Sequence, residues 1–210
     1  MTPTGGAILG GLRKINECRI CFTHKENQKN RENSRLANFR NKIVGGLTYD
    51  LSHLDQFLLS LEIDMSTYAV EIAFSSHCFT EKLQPHHAPD LRYTHDGEQR
   101  TFNVARYELS KSLPGMFQAL GIRTVYRSER QDYFVFQDVA ISSEKIPYIT
   151  FFNVIRSTKK SVNVRLNVTS AYLKPGMSLH ASPVKFTTLI ASAATGKPLN
   201  AGPKKHIKRK

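Results

Sequence analysis

The segment Ile146–Leu173, IPYITFFNVIRSTKKSVNVRLNVTSAYL, constrains the fold of this chain most, because it reads as two consecutive strands joined by a short polar link. Tyr148 to Arg156 is apolar at nearly every position, the pattern of a strand covered on both faces. Val162, Val164, Leu166 and Val168 then alternate with Asn163, Arg165, Asn167 and Thr169, so one face is apolar and the other polar. The same parity continued past Val168 points Ser170 and Tyr172 inward, either as core hydroxyls or as pocket residues. The hairpin carries Arg156, Lys159, Lys160 and Arg165 and no carboxylate.

Other elements group around this hairpin. Tyr68, Val70, Ile72 and Phe74 alternate as a strand that runs into the polar cluster Ser75–Glu81. Leu51, Leu54, Phe57, Leu58 and Leu61 are spaced for a helix, yet Phe57–Ile63 fits a strand equally. Residues 82–101, rich in Pro and His, read as a loop. Leu109, Leu113, Met116, Phe117 and Leu120 recur at helical spacing between Asn103 and Gly121. Pro114 inside that run either kinks the helix or starts a second one capped by Ser112. Val125–Arg127 and Tyr133–Ala140 read as a strand pair, and Val184–Ile190 as a last strand.

These elements predict an α+β domain over 47–200, an antiparallel β-sheet with the 103–121 helical segment packed on it. A flexible basic N-terminal extension, 1–46, is expected before it, with the boundary at Gly45-Gly46. A basic disordered tail, 201–210, is expected after it.

The net charge of +13 is unevenly spread. Residues 1–47 hold nine Lys/Arg against three Asp/Glu, and residues 174–210 hold eight Lys/Arg and no acid. Residues 48–173 hold thirteen basic and fourteen acidic residues. A near-neutral centre between basic ends fits a nucleic-acid partner, RNA or DNA, or else two solvated tails; a protein partner for the neutral centre fits as well. The basic candidates for nucleic-acid contact are Lys159, Lys160, Arg165, Lys204, Lys205, Lys208, Arg209 and Lys210. The three cysteines, Cys18, Cys21 and Cys78, form no even disulfide set, which fits a reducing cytoplasm. No window approaches the ~20 apolar residues of a membrane span, so no membrane partner is expected.

Cys18-x-x-Cys21 with His24 is half of a zinc site and lacks a second ligand pair. The chain has no phosphate-binding glycine loop, nucleophile elbow, H-E-x-x-H pair or dinucleotide fingerprint. No metal site and no cofactor are expected.

Three stretches, FSSHCFTE (Phe74–Glu81), RTFNVARYELSKSLP (Arg100–Pro114) and VTSAYLK (Val168–Lys174), resemble a family of bacterial genomes and mobile elements. Its members carry names such as stationary-phase growth adaptation protein or heat-shock protein C. The resemblance spans about 48–200 and implies a bacterial, mobile-element source. The architecture, a helical segment followed by a twisted antiparallel sheet, also resembles metal-independent ribonucleases of the barnase, EndoU, colicin and RelE type.

Two functions follow as expectations. The first is a small basic cytoplasmic accessory protein that binds nucleic acid through its ends and the Arg165/Asn167 face. The second is a ribonuclease-like effector or toxin. It needs His77 as general acid or base, Arg106 and Arg156 to balance phosphate charge, and Tyr172 to position or protonate a leaving oxygen.

Overall fold

The computed structural model of the chain describes residues 38–129, 132–141, 143–199 and 203–208. Two hairpins build the centre of its large sheet. β3 (Phe57–Ile63) and β4 (Ser66–Phe74) pair antiparallel, as do β10 (Glu144–Arg156) and β11 (Val164–Leu173). The two hairpins meet through β4 and β11, and there the pairing is parallel, with Val70 opposite Val164 and Phe74 opposite Val168. With β8 (Thr124–Arg127), β9 (Tyr133–Ile141), β12 (Ser178–Lys185) and β13 (Lys205–Lys208), the eight-stranded order is β13-β12-β8-β9-β10-β11-β4-β3.

The fold is therefore mostly β around a mixed sheet, and the expected α+β class with an antiparallel sheet is corrected. The reason is local. Alternation with period two reports which face of a strand is buried, and it is identical in parallel and antiparallel neighbours. Each hairpin loop fixes the direction inside its own hairpin and leaves open how two hairpins join.

Two smaller sheets stand beside the large one. β1 (Lys42–Val44) and β2 (Leu47–Tyr49) form a hairpin whose turn is Gly45-Gly46, with φ of 55° and 81°. Such a two-residue turn needs left-handed backbone that glycine supplies without strain. The expected domain boundary is thus a turn inside the fold, and Phe39 before it is core, 2% exposed. β5 (Thr80–Lys82), β6 (Arg92–His95) and β7 (Glu98–Phe102) form the second, in the order β5-β7-β6. Residues 82–101, expected as loop, thus contribute strands.

The helical segment divides as the proline suggests, into α1 (Val104–Ser110) and α2 (Leu113–Gln118), with Pro114 in the first turn of α2. The Asn103 side chain caps α1 by accepting from the Arg106 N–H at 3.0 Å. Ser112 makes no such cap; its hydroxyl donates to the Leu109 carbonyl at 2.7 Å. α3 (Phe186–Thr195) occupies much of the expected last strand, which really ends at Lys185 as β12. Phe186, Leu189, Ile190 and Ala193 recur at helical spacing, and Gly196 closes the helix with φ of 71°.

The sheet has two unlike faces. Val70, Ile72, Val164, Leu166, Val168 and Phe152 face inward and pack with Tyr107, Phe117, Phe186 and Leu189 of the helices in the main core. A second apolar cluster, with Phe134, Ile149, Met177 and Ala181 fully buried, lies on the other, outer face.

A β-bulge in β11 decides which residues reach that outer face. Phe151 is opposite Ser170 but Phe152 is opposite Val168, so Thr169 is one residue too many. Beyond it the parity flips. Ala171 enters the main core, and Tyr172, expected inward, joins the outer cluster beside Phe151.

Part of the stretch expected as a disordered tail, 201–210, is a strand, while residues 201, 202, 209 and 210 lie outside the described residues. Lys205–Lys208 pairs antiparallel with β12, Lys205 opposite Ala181 and Lys208 opposite Ser178. Ile207 packs on the outer cluster while the lysine side chains stay in solvent, so a charged run can extend a sheet edge without burying charge. No helix among the described residues is long and apolar enough to cross a membrane.

Candidate functional site: a polar cleft beside the parallel strand pair

The carboxyl end of β4 leads directly into a short 3-10 turn, Ser76–Cys78. The Ser75 N–H extends the parallel pairing by donating to the Val168 carbonyl at 2.9 Å, and the Ser75 hydroxyl accepts from the His77 N–H at 3.2 Å. These bonds hold His77 at the mouth of a cleft of about 510 Å³. Its lining includes His77, His95, Glu98, Arg165, Asn167 and Thr169. Loops at strand ends are the usual place to build a site on a rigid sheet.

The β6–β7 hairpin supplies the partner of His77. His77 Nε2 lies 3.0 Å from Glu98 Oε2, and Arg100 Nη1 donates to Glu98 Oε1 at 2.8 Å. The hydrogen bond from His77, then the one from Arg100, holds the Glu98 carboxyl below its ordinary range. Arg100 Nε is anchored in turn by donating to the Thr80 hydroxyl at 2.7 Å. A half-exposed imidazole set against a carboxylate can exchange a proton with a molecule in the cleft, which is the chemistry this arrangement offers.

The opposite wall is polar and mutually bonded. Arg165 Nε donates to Asn167 Oδ1 at 2.9 Å, and Asn167 Nδ2 donates to Asn153 Oδ1 at 3.0 Å. Behind them Glu71 is only 6% exposed. Lys159 Nζ donates to its Oε1 at 2.5 Å, and Arg165 Nε stands 3.7 Å from Oε2, which accepts no hydrogen bond. Arg165 thus bonds to the amide and supports Glu71 only through longer-range attraction.

Of the four residues expected to act together, three fall in one neighbourhood. Arg106 Nη1 donates to the Thr80 carbonyl at 2.7 Å and to the His77 carbonyl at 3.4 Å, and its guanidinium carbon lies 5.7 Å from the Tyr172 ring centroid. It clamps the turn that carries His77. Arg156 is not brought in; it is exposed at the loop end of β10, opposite Val164.

The basic candidates are spread more widely. Lys159 is engaged by Glu71, and Lys160 is exposed in the β10–β11 loop. Lys204 stands 3.7 Å from Glu129, and Lys205 and Lys208 are exposed on β13. Arg209 and Lys210 lie outside the described residues, as do Cys18, Cys21 and His24.

Cys78 is fully buried, and burial pushes its thiol up to about 12, far from a reactive thiolate. Among the described residues no three His, Cys, Asp or Glu side chains are grouped as a metal ion would require. Sequence reasoning missed Glu98, Arg100 and Glu71. Glu98 and Arg100 lay in a stretch read as loop, so their strand-borne convergence on His77 had no signal. Glu71 did carry one, as a lone carboxylate inside the alternating run Tyr68–Phe74.

Fold and cleft together define a β-rich domain with a polar cleft beside its one parallel strand pair among the described strands. Residues 38–194 match the family model of the YjaZ family, and the chain belongs to that family. The match begins at Asn38, one residue before the first buried side chain among the described residues, and ends within α3. No curated protein and no solved structure matches the chain.

Proposed function

We propose that this chain is a nucleic-acid-associated binding protein of the cytoplasm, an accessory protein of a bacterial mobile element. The observation that carries the reading is the basic edge strand. With a net charge of +13, the chain sets Lys204, Lys205 and Lys208 in solvent at the rim of a sheet rather than on a loose tail. Phosphates bound there displace their counterions, so affinity falls steeply with salt. The test is binding of a labelled oligonucleotide across a salt series, wild type beside the triple variant Lys204→Ala, Lys205→Ala, Lys208→Ala. The variant is expected to bind more weakly and to flatten the log–log salt slope by about two to three units, at roughly 0.7–0.9 per lost contact. An unchanged slope would remove the edge strand from the reading.

A second reading, a metal-independent ribonuclease, is favoured by the His77–Glu98 pair opening on the cleft. Its measurement is RNA cleavage in excess EDTA. His77→Ala is expected to slow cleavage by about 100-fold, the usual worth of a general acid–base group. Equal rates in both proteins would take His77 out of the chemistry, and no cleavage by the wild type would end the enzyme reading.

A further inference from the structure

We infer that the outer face of the sheet binds single-stranded nucleic acid, its bases stacked on the half-buried rings of Tyr126, Phe136, Phe151 and Tyr172. This rests on the nucleic-acid reading above and gives it a surface.

The rings form a continuous ladder over four strands. Tyr126 of β8 stacks on Phe134 and Phe136 of β9 at 5.4 and 5.7 Å between centroids, with interplanar angles of 23° and 22°. Phe134 lies 5.7 Å from Phe151 of β10, which stacks on Tyr172 of β11 at 5.9 Å and 24°. Phe134 is fully buried as the base of the ladder, while the other four rings keep part of their surface in solvent. The buried apolar residues of α1, α2 and α3 pack into the main core on the inner face, and from α1 the Arg106 guanidinium carbon reaches to 5.7 Å from the Tyr172 ring centroid. On the outer side the cluster is bordered by Met177, Leu179 and Ile207 of the β12–β13 edge.

The polar surroundings suit a nucleic acid better than an apolar partner. Register puts Lys145 and Lys205 on the same face as the rings, and the Lys174 N–H continues the β10–β11 pairing by donating to the Pro147 carbonyl at 2.8 Å. Arg165 and the Asn153–Asn167 amide pair lie one row beyond the bulge, ready to bond base edges or sugar hydroxyls. Among the described strands the carboxylates of that face are Asp138, Glu71 and Glu62; Glu71 is met by Lys159 and Arg165, and Glu62 sits on the far strand β3. Rings set in a sheet floor can stack on unpaired bases. They cannot reach bases paired inside a duplex, so the face selects single strands.

The test uses the full chain and three fluorescein-labelled probes of equal length: oligo(dT), oligo(U) and a DNA duplex. Leucine keeps apolar volume and removes the ring. The double variant Phe151→Leu, Tyr172→Leu is expected to lose about tenfold or more in single-strand affinity at fixed salt, with the salt slope unchanged. Tyr172→Phe, which keeps a ring, is expected to bind as the wild type does. Should the double variant melt early, the single variants Tyr126→Leu and Phe136→Leu carry the same expectation on half-buried side chains.

If the leucine variants bind as tightly as the wild type while the β13 lysine variant still weakens binding, the outer face is not the surface and the nucleic-acid reading stands. Tighter binding of the duplex than of either single strand also overturns the inference. If the wild type binds no probe at any salt, the nucleic-acid reading fails, and the inference fails with it.

Discussion

The inner and outer faces of the large sheet are made by the same strands and differ in almost everything else. The inner face is sealed by helices, and Val70, Ile72, Val164, Leu166 and Phe152 are fully buried there. The outer face is divided. An aromatic band over β8–β11 is only half-buried, and a polar row flanks it, in which Arg165, Asn167 and Asn153 are hydrogen-bonded in series and Glu71 lies 3.7 Å from Arg165. The helices seal the inner face, whereas part of the outer aromatic band stays in solvent. The Thr169 bulge is what hands Tyr172 from the first face to the second.

The sharpest way to break this comparison is to truncate adjacent phenylalanines that point to opposite faces. Phe152→Ala empties a fully buried inner site and is expected to cost about 3–5 kcal/mol in urea denaturation. Phe151→Ala, on the half-buried outer site, is expected to cost about half as much. Equal losses would mean that the outer face is as well sealed as the inner one.

Lys159→Ala probes the polar half of the outer face. It leaves the buried Glu71 carboxylate with only the 3.7 Å contact to Arg165. Because Lys159 itself is half-exposed, the expected loss at neutral pH is about 1–2 kcal/mol. Much of it is expected to return in the variant that also carries Glu71→Gln, which removes the stranded charge. No loss in the single variant would show that water reaches Glu71 freely.

The smallest expected effect is at the cleft mouth, where Glu98 is half-exposed. Its carboxyl titrates below the ordinary 4.5, so this pair adds stability fully above that value, and the contribution fades as pH falls through the folded value. In a carbon-detected NMR titration, His77→Ala is expected to move the Glu98 midpoint up toward 4.5. An unmoved midpoint would assign the depression to Arg100 alone.

Sequence patterning carried the inner face well. The hairpin Ile146–Leu173 and the strand at Tyr68–Phe74 are present, since burial of one strand face imposes its period directly. What stayed hidden depends on partners distant in the chain. The parallel joining of β4 to β11 leaves no mark on either strand. Thr169 is an ordinary strand residue until Phe152 is known to face Val168. The charge of Lys205–Lys208 concealed a strand because only Ile207 needs an apolar neighbour. α3 was legible in its Phe186, Leu189, Ile190 spacing, but Val184 before it and the β-branched Thr187, Thr188 and Ile190 within it favoured a strand reading. In the cleft, His77 could be picked out as a histidine at a strand end, whereas Glu98 could not be joined to it before β7 was known to be a strand.

The central claim, that the outer aromatic face is the recognition surface, meets its most direct test in tyrosine fluorescence. The chain has eight tyrosines and no tryptophan, so the emission belongs to tyrosine, and Tyr126 and Tyr172 are the two in the ladder. Titration of the full chain with oligo(dT) is expected to quench this emission in step with binding seen by anisotropy. In the double variant Tyr126→Phe, Tyr172→Phe, binding is expected to persist and the quenching to disappear. Quenching of equal depth in that variant, or binding by the wild type with no quenching, would contradict the account.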